Sequence, residues 1–207
     1  MIVSGARYLP GYLDPADQIK LVEMLGEIAT EAPPFTPVMP RTSKPFSVTM
    51  TNCGVLGWVS DRTGYRYQEN HPDTGISWPS MPPILQDLWQ TLAGYDQPPE
   101  ACLVNFYGAK ARMGLHVDGD EADRDAPVLS ISLGDTALFR IGGTRRGDPT
   151  SSFRVQSGDI VILENKSRSA YHGIDRIIPA SSTLLARSFP DIRRINLTLR
   201  RVSMPTR

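Results

Sequence analysis

The chain has 207 residues, with 22 lysines and arginines balanced by 22 aspartates and glutamates; it is long enough for one domain with a core that needs no staples, and its balanced charge excludes a whole-molecule field attractive to nucleic acid, leaving only a local patch for a polyanion. Its two cysteines, Cys53 and Cys102, exclude a disulfide framework or a thiolate metal site and point to a reducing compartment. With no run of eighteen apolar residues and no basic start leading into an apolar stretch, the expectation is a cytoplasmic protein that uses no membrane.

From Asp14 to Ala32, the residues Ile19, Val22, Leu25, Ile28 and Ala29 recur at helical spacing behind an aspartate that can cap the start. This predicts an amphipathic helix packed on something larger. Residues 33–83 are rich in proline, glycine and aromatics, with two strand-like pieces, FSVTMT and GYRYQ, and a long irregular stretch, ENHPDTGISWPSMPP. A loop of that length in a compact domain is usually functional or disordered. A second helix is predicted over PPILQDLWQTLAGY, with proline in its first turn and its end at Gly94. From Ala101 onward the texture changes to short β runs: CLVNFY, MGLHVD, PVLSISLG, TALFRIGG, SSFRVQ, GDIVILEN and RINLTLRRV. That is the pattern of an antiparallel sandwich or barrel. The reading is an α+β protein in three parts: an N-terminal extension and helix over 1–32, a flexible aromatic segment over 33–83, and a β-rich core over 84–207.

Side chains alternate faces along a strand, so residues two apart look the same way. His116 and Asp118 therefore share a face in MGLHVDGDEAD, as do Asn105 and Tyr107 in VNFYG and Arg194, Asn196, Thr198 and Arg200 in RINLTLR. Half-exposed strands carry such polar rows too, but polar groups on inner strands need partners. A calcium loop of the common type fails on spacing, because the sixth position from Asp118 is Asp123 where glycine is needed. Imidazole also suits transition metals better than calcium. Of the remaining histidines, His71 lies in ENHPDTG and is expected to face solvent. His172 follows the apolar run DIVILEN, where the chain is expected to turn at Gly173; alone it reads as structural. Joined to His116 and Asp118, it completes a set of two histidines and one carboxylate, the facial triad that leaves positions of a ferrous ion open. Such sites use an electron-donating cosubstrate, and a dicarboxylic keto acid has a far carboxylate that an arginine fork can hold. Arg194 and Arg200, with Asn196 between them, are placed for that.

Taken in order, NFYGAKARMGLHVDGDEAD, SLGDTALFRIGG, SGDIVILENKSRSAYHGI and RINLTLR resemble successive segments of the AlkB-type nucleic-acid dealkylases, within the iron(II)/2-oxoglutarate dioxygenases. The similarity extends upstream through MTNCGVLGW, GYRY and WPSMP, so it covers all but the first forty or so residues. The resemblance implies a double-stranded β-helix (jelly-roll) core, preceded by N-terminal helices and a nucleotide-recognition lid over 33–83. It implies Fe(II) on His116, Asp118 and His172, 2-oxoglutarate on Asn105, Tyr107, Arg194, Asn196 and Arg200, and O2 as second cosubstrate. It further implies that Trp58 stacks on the target base, that Tyr65 and Tyr67 approach the nucleotide and its phosphate, that Asp120 faces the base, and that Arg146 lies beside the base or its backbone. The implied reaction is oxidative demethylation of N-alkylated bases such as 1-methyladenine and 3-methylcytosine in single- or double-stranded DNA, with RNA left open, by a monomer. Two rival readings stand beside it: a related 2-oxoglutarate-dependent hydroxylase of a protein or small molecule, and a non-enzymatic β-barrel binding module. For Asp120 the rival is a solvated acidic turn shared with Glu121, Asp123 and Asp125.

Overall fold

In the computed structural model, which describes residues 1–205, two antiparallel sheets enclose a common interior. The elements in chain order are β1 (Ile2–Val3), β2 (Ala6–Leu9), α1 (Pro15–Glu31), β3 (Val48–Gly54), β4 (Gly57–Asp61), β5 (Gly64–Gln68) and α2 (Pro83–Leu92). There follow β6 (Ala101–Tyr107), β7 (Met113–His116), β8 (Val128–Gly134), β9 (Ala137–Ile141), β10 (Ser151–Val155) and β11 (Ile160–Leu163). A 3-10 turn over Asn165–Ser169 leads to β12 (His172–Ile177) and β13 (Arg194–Arg200). The larger sheet has the order β1-β2-β11-β8-β13-β6-β3, the smaller one β10-β9-β12-β7, and β4-β5 form a separate hairpin. Two sheets of this kind, with sequence neighbours split between them, make the jelly-roll sandwich. The larger sheet takes strands from before residue 84 as well as after it.

Period-two alternation decides what each strand gives to each side. On β13, Ile195, Leu197 and Leu199 join Cys102, Val104 and Phe106 of β6 on the outer face, where α1 and α2 cover them. The intervening residues point between the sheets. The helices contribute Leu21, Val22, Leu25 and Ile28 from α1 and Leu85, Leu88, Trp89 and Leu92 from α2. Complete burial of each such side chain is worth roughly 1.5–3 kcal/mol, which holds the helices on the sheet. Asp14 caps α1 by accepting from the Asp17 amide at 2.8 Å, and α2 ends before Gly94, whose φ of 60° suits glycine. Ile19 was expected in the core but is 50% exposed; Leu21 fills the stripe instead, because Ile19 lies round the side of α1.

Other departures have physical causes. β1 and β2 precede α1 and extend the larger sheet through the pairing of β2 with β11, a long-range contact that so short a segment does not announce. β4 and β12 were not anticipated either. The irregular stretch before α2 is held down rather than loose, since Trp78 and Met81 are buried and Trp78 Nε1 donates to the Gln68 carbonyl at 2.9 Å. Among the described residues no helix is long and apolar enough to cross a membrane.

Candidate metal centre and active site

β7 and β12 are paired so that His116 stands directly opposite His172, with ring centroids 4.5 Å apart. Asp118 follows two residues past His116. One carboxylate oxygen lies 3.6 Å from His116 Nε2 and the other 3.5 Å from His172 Nε2. The three donor atoms fall within 4.8 Å of one another. Each imidazole donates from Nδ1 to a backbone carbonyl, His116 to Gly114 at 2.9 Å and His172 to Ala170 at 3.0 Å. A carbonyl only accepts, so each Nδ1 carries a proton, and each Nε2 is the ring nitrogen turned toward Asp118 and available to a cation. The His116 side chain is 40% exposed to the cavity, yet desolvation by the walls around it, together with the neighbouring His172, pushes its pKa down. Burial works to raise the Asp118 pKa, but Arg200 and the two histidines outweigh it and hold the carboxyl well below its ordinary value. Gly173 is no turn: it lies within β12, and a side chain there would sit 2.5 Å from the Met113 carbonyl oxygen. Glycine is needed at that position because β7 and β12 approach so closely.

The triad opens on a cavity of about 540 Å³ between the sheets, which Asn105, Tyr107, Arg194, Asn196 and Arg200 also line. Register explains the grouping, since Arg194 faces Tyr107 and Asn196 faces Asn105 across β13 and β6. Arg194 is 1% exposed. It donates to Ser132 Oγ at 2.7 Å and reaches the Asp135 carbonyl at 3.5 Å, while its Nε has no partner. Burial lowers its pKa to about 10, which leaves it cationic at neutral pH. Asn196 donates to Ser130 Oγ and the Ile131 carbonyl. Arg200 is differently placed: it grips Asp118 at 2.8 Å and Glu121 at 2.6 Å.

Over the mouth lies the β4–β5 hairpin. Trp58 stacks on Tyr65 with centroids 5.6 Å apart and planes 18° from parallel, and its Nε1 donates to Asp120 at 2.8 Å. Tyr65 is exposed. Tyr67, opposite Trp58 in the hairpin, turns its hydroxyl inward to Glu121 at 2.5 Å and is not among the residues lining the cavity. Arg146 lies at the cavity edge, 5.9 Å over the Tyr171 ring. The solvated acidic turn is not found. Asp120 is exposed but tied to Trp58, Glu121 is buried against Arg168 and Arg200, and buried Asp123 accepts from the Tyr95 hydroxyl. His71 likewise does not face solvent: it is 3% exposed, packed against Phe35 and Trp78. Its Nε2 donates to the Pro33 carbonyl and its Nδ1 accepts from the Asp73 and Thr74 amides, so its polar atoms are used locally.

The family model described as the 2OG-Fe(II) oxygenase superfamily matches residues 5–200. A Caulobacter vibrioides protein named alpha-ketoglutarate-dependent dioxygenase AlkB homolog is 54% identical over 200 residues, covering 97% of this chain and 89% of its own. The chain belongs to the AlkB-type 2OG-Fe(II) oxygenases. It is similar also to Escherichia coli alpha-ketoglutarate-dependent dioxygenase AlkB, at 42% identity over 159 residues that cover 75% of this chain and 73% of that protein. The solved structure of OsALKBH1 superposes with a TM-score of 0.81 at 30% identity, covering 97% of this chain and 98% of that one.

An AlkB-type oxygenase is a dioxygenase dependent on Fe(II), 2-oxoglutarate and O2, and the residues present fit those groups. Two imidazoles and one carboxylate are the donor set of a ferrous site with open positions. Arg194 is a buried cation whose hydrogen-bond partners are all neutral, and its Nε donor lacks one altogether. Buried groups of this kind call for a ligand. A dicarboxylic keto acid supplies the missing anion.

Proposed function

We propose that this AlkB-type dioxygenase oxidatively removes alkyl groups from the ring nitrogens of bases in nucleic acid, such as 1-methyladenine and 3-methylcytosine. The observation that carries this reading is one cavity shared by the His116–Asp118–His172 triad, the uncompensated Arg194 and a mouth built from Trp58, Tyr65 and Asp120. The mouth offers an aromatic face and a carboxylate, which suit a flat cationic base. Relatives in Arabidopsis thaliana and Schizosaccharomyces pombe bear the names DNA N(6)-methyladenine demethylase and tRNA demethylase, in keeping with a nucleic-acid substrate. A hydroxylase of a protein or small molecule would have no use for the stacked mouth.

His116, Asp118 and His172 would hold the ferrous ion, which with 2-oxoglutarate and O2 would supply the oxidising power for hydroxylating the N-alkyl carbon, with succinate, CO2 and, from a methyl group, formaldehyde as products. Arg194 binds the far carboxylate of the cosubstrate as a charge-assisted fork, with Asn105, Tyr107, Asn196 and Arg200 shaping the rest of its bed. Trp58 and Tyr65 take the base out of its stack, because the reacting atom cannot be reached inside a duplex. Asp120 pairs with the positive charge of the lesion. Tyr67 acts near the nucleotide through the hairpin it stiffens, and Arg146 contacts the base or its backbone at the cavity edge. Met50, Leu103 and Val128 line the interior with apolar surface that excludes water. The enzyme works as a cytoplasmic monomer on single- or double-stranded DNA, with RNA as a further substrate. The test is incubation with iron, 2-oxoglutarate and matched methylated DNA and RNA oligonucleotides, read by mass spectrometry. Loss of one methyl group per lesion with stoichiometric succinate is expected; succinate formed without any demethylation of either polymer would overturn the reading.

A further inference from the structure

Beyond the triad lies a set of buried charges that the reaction itself does not consume. Glu121 has no exposed side-chain surface, and its carboxylate accepts from Arg168 at 3.0 Å, from Arg200 at 2.6 Å and from the Tyr67 hydroxyl at 2.5 Å. Both arginines also hold Asp118. Arg200 binds its carboxylate at 2.8 Å, and Arg168 donates to its backbone carbonyl at 2.7 Å. Arg168 is fixed in turn by the Ala126 carbonyl at 2.8 Å. The metal-binding aspartate is thus gripped at main chain and side chain by two cations that share one buried carboxylate, and that carboxylate is tied by a tyrosine to the hairpin at the mouth.

We propose that Glu121 is a positioning residue which sets the Asp118 carboxylate for the metal and, through Tyr67, latches the β4–β5 hairpin to the metal centre. Charge accounts for the first part. Arg168, Arg200, Asp118 and Glu121 sum to zero, so the site meets a divalent cation as a neutral group. Removing the Glu121 charge leaves an excess positive charge one arginine away from the metal position, and it leaves Arg200 to draw on Asp118 alone. Geometry accounts for the second part. Tyr67 stands opposite Trp58 in the hairpin, so a shift of the aromatic mouth moves the tyrosine hydroxyl on which Glu121 depends. Coupling of this kind is reciprocal: if the hairpin influences the metal site, the metal must order the hairpin.

The inference rests on the metal-centre reading, and the experiment separates the two. Mn(II), which binds without turnover, is titrated by calorimetry into wild-type protein, Glu121→Gln and Tyr67→Phe, and amide hydrogen exchange is followed over residues 57–68 with and without Mn(II). Glu121→Gln is expected to weaken Mn(II) binding about tenfold or more, the usual scale for groups that orient a metal ligand. Tyr67→Phe removes only a hydroxyl and keeps the ring, so it preserves the test of the latch even where Glu121→Gln fails to fold; it is expected to change Mn(II) affinity much less than Glu121→Gln does. In wild type, Mn(II) should slow hairpin exchange, and in Tyr67→Phe that protection should be lost. Protection of the hairpin that is as large in Tyr67→Phe as in wild type would overturn the latch. Wild-type Mn(II) affinity in a folded Glu121→Gln protein would overturn the positioning role. Absence of Mn(II) binding by wild type would sink the metal-centre reading itself.

Discussion

Arg194 and Arg200 stand on the same face of β13, six residues apart, and both are buried. Their surroundings are opposite. Arg200 is enclosed by two carboxylates, and although burial alone would depress it, Asp118 and Glu121 raise its pKa well above the ordinary value. Arg194 has a serine hydroxyl and a backbone carbonyl, and burial pulls its pKa down. A buried ion pair broken on one side is strongly destabilising, whereas an uncompensated buried charge is stabilised by whatever anion completes it. Two arginines with the same strand position thus have different uses. Arg200 is locked between carboxylates beside the proposed metal site, and Arg194 has neutral hydrogen-bond partners only, which fits the proposed cosubstrate role.

The sharpest separation removes a proposed metal ligand and leaves both arginines alone. His172→Ala should reduce succinate formation and demethylation to background while the protein still unfolds at nearly wild-type denaturant concentration; near-normal turnover would remove His172 from the iron site. Next in size is Arg200→Met, which takes from the buried Asp118 carboxylate its only arginine partner and leaves Glu121 with Arg168 alone. It should cost about 3–5 kcal/mol of folding stability, the usual penalty for breaking one side of a buried pair, read as a lowered urea midpoint of the metal-free protein. Arg194→Met should show the reverse. Its metal-free stability should be equal to wild type or higher, while the 2-oxoglutarate concentration for half-maximal turnover rises roughly tenfold or more, from loss of a charge-assisted contact worth about 1.5–3 kcal/mol. Equal stability losses in the two arginine variants would erase the contrast. The smallest effect belongs to the mouth: Asp120→Asn keeps an acceptor for Trp58 but drops the charge. It should slow cationic lesions about tenfold and neutral N1-methylguanine or N3-methylthymine much less, and equal slowing of both classes in single-stranded oligonucleotides would deny Asp120 its electrostatic role.

Much of the site was legible because alternation is a local property. His116 with Asp118, Asn105 with Tyr107, and Arg194 with Asn196 and Arg200 each share a face by spacing alone, and all seven line the same cavity. Capping made α1 legible in the same way, through Asp14. What failed was long-range. β12 begins at a histidine and carries Asp175 and Arg176, so its run HGIDRI has little apolar content and looks like a turn; it becomes a strand by pairing with β7 and β9. His71 was expected in solvent because its neighbours in sequence are polar, but Phe35 and Trp78 come from elsewhere to cover it.

The sequence by itself determined the candidate donor set of the metal, the faces that carry it and, through resemblance, the reaction class. Tertiary structure alone decided the state of the charges. Nothing near Glu121 in the chain distinguishes it from Asp120 or Asp125, yet it is sealed between Arg168 and Arg200, 47 and 79 residues away, while Asp125 stays exposed. The same holds for the two arginines of β13. Local spacing fixes the direction in which a side chain points, because backbone geometry repeats every two residues. Whether a counter-charge stands at the end of that direction depends on which distant segments fold against it.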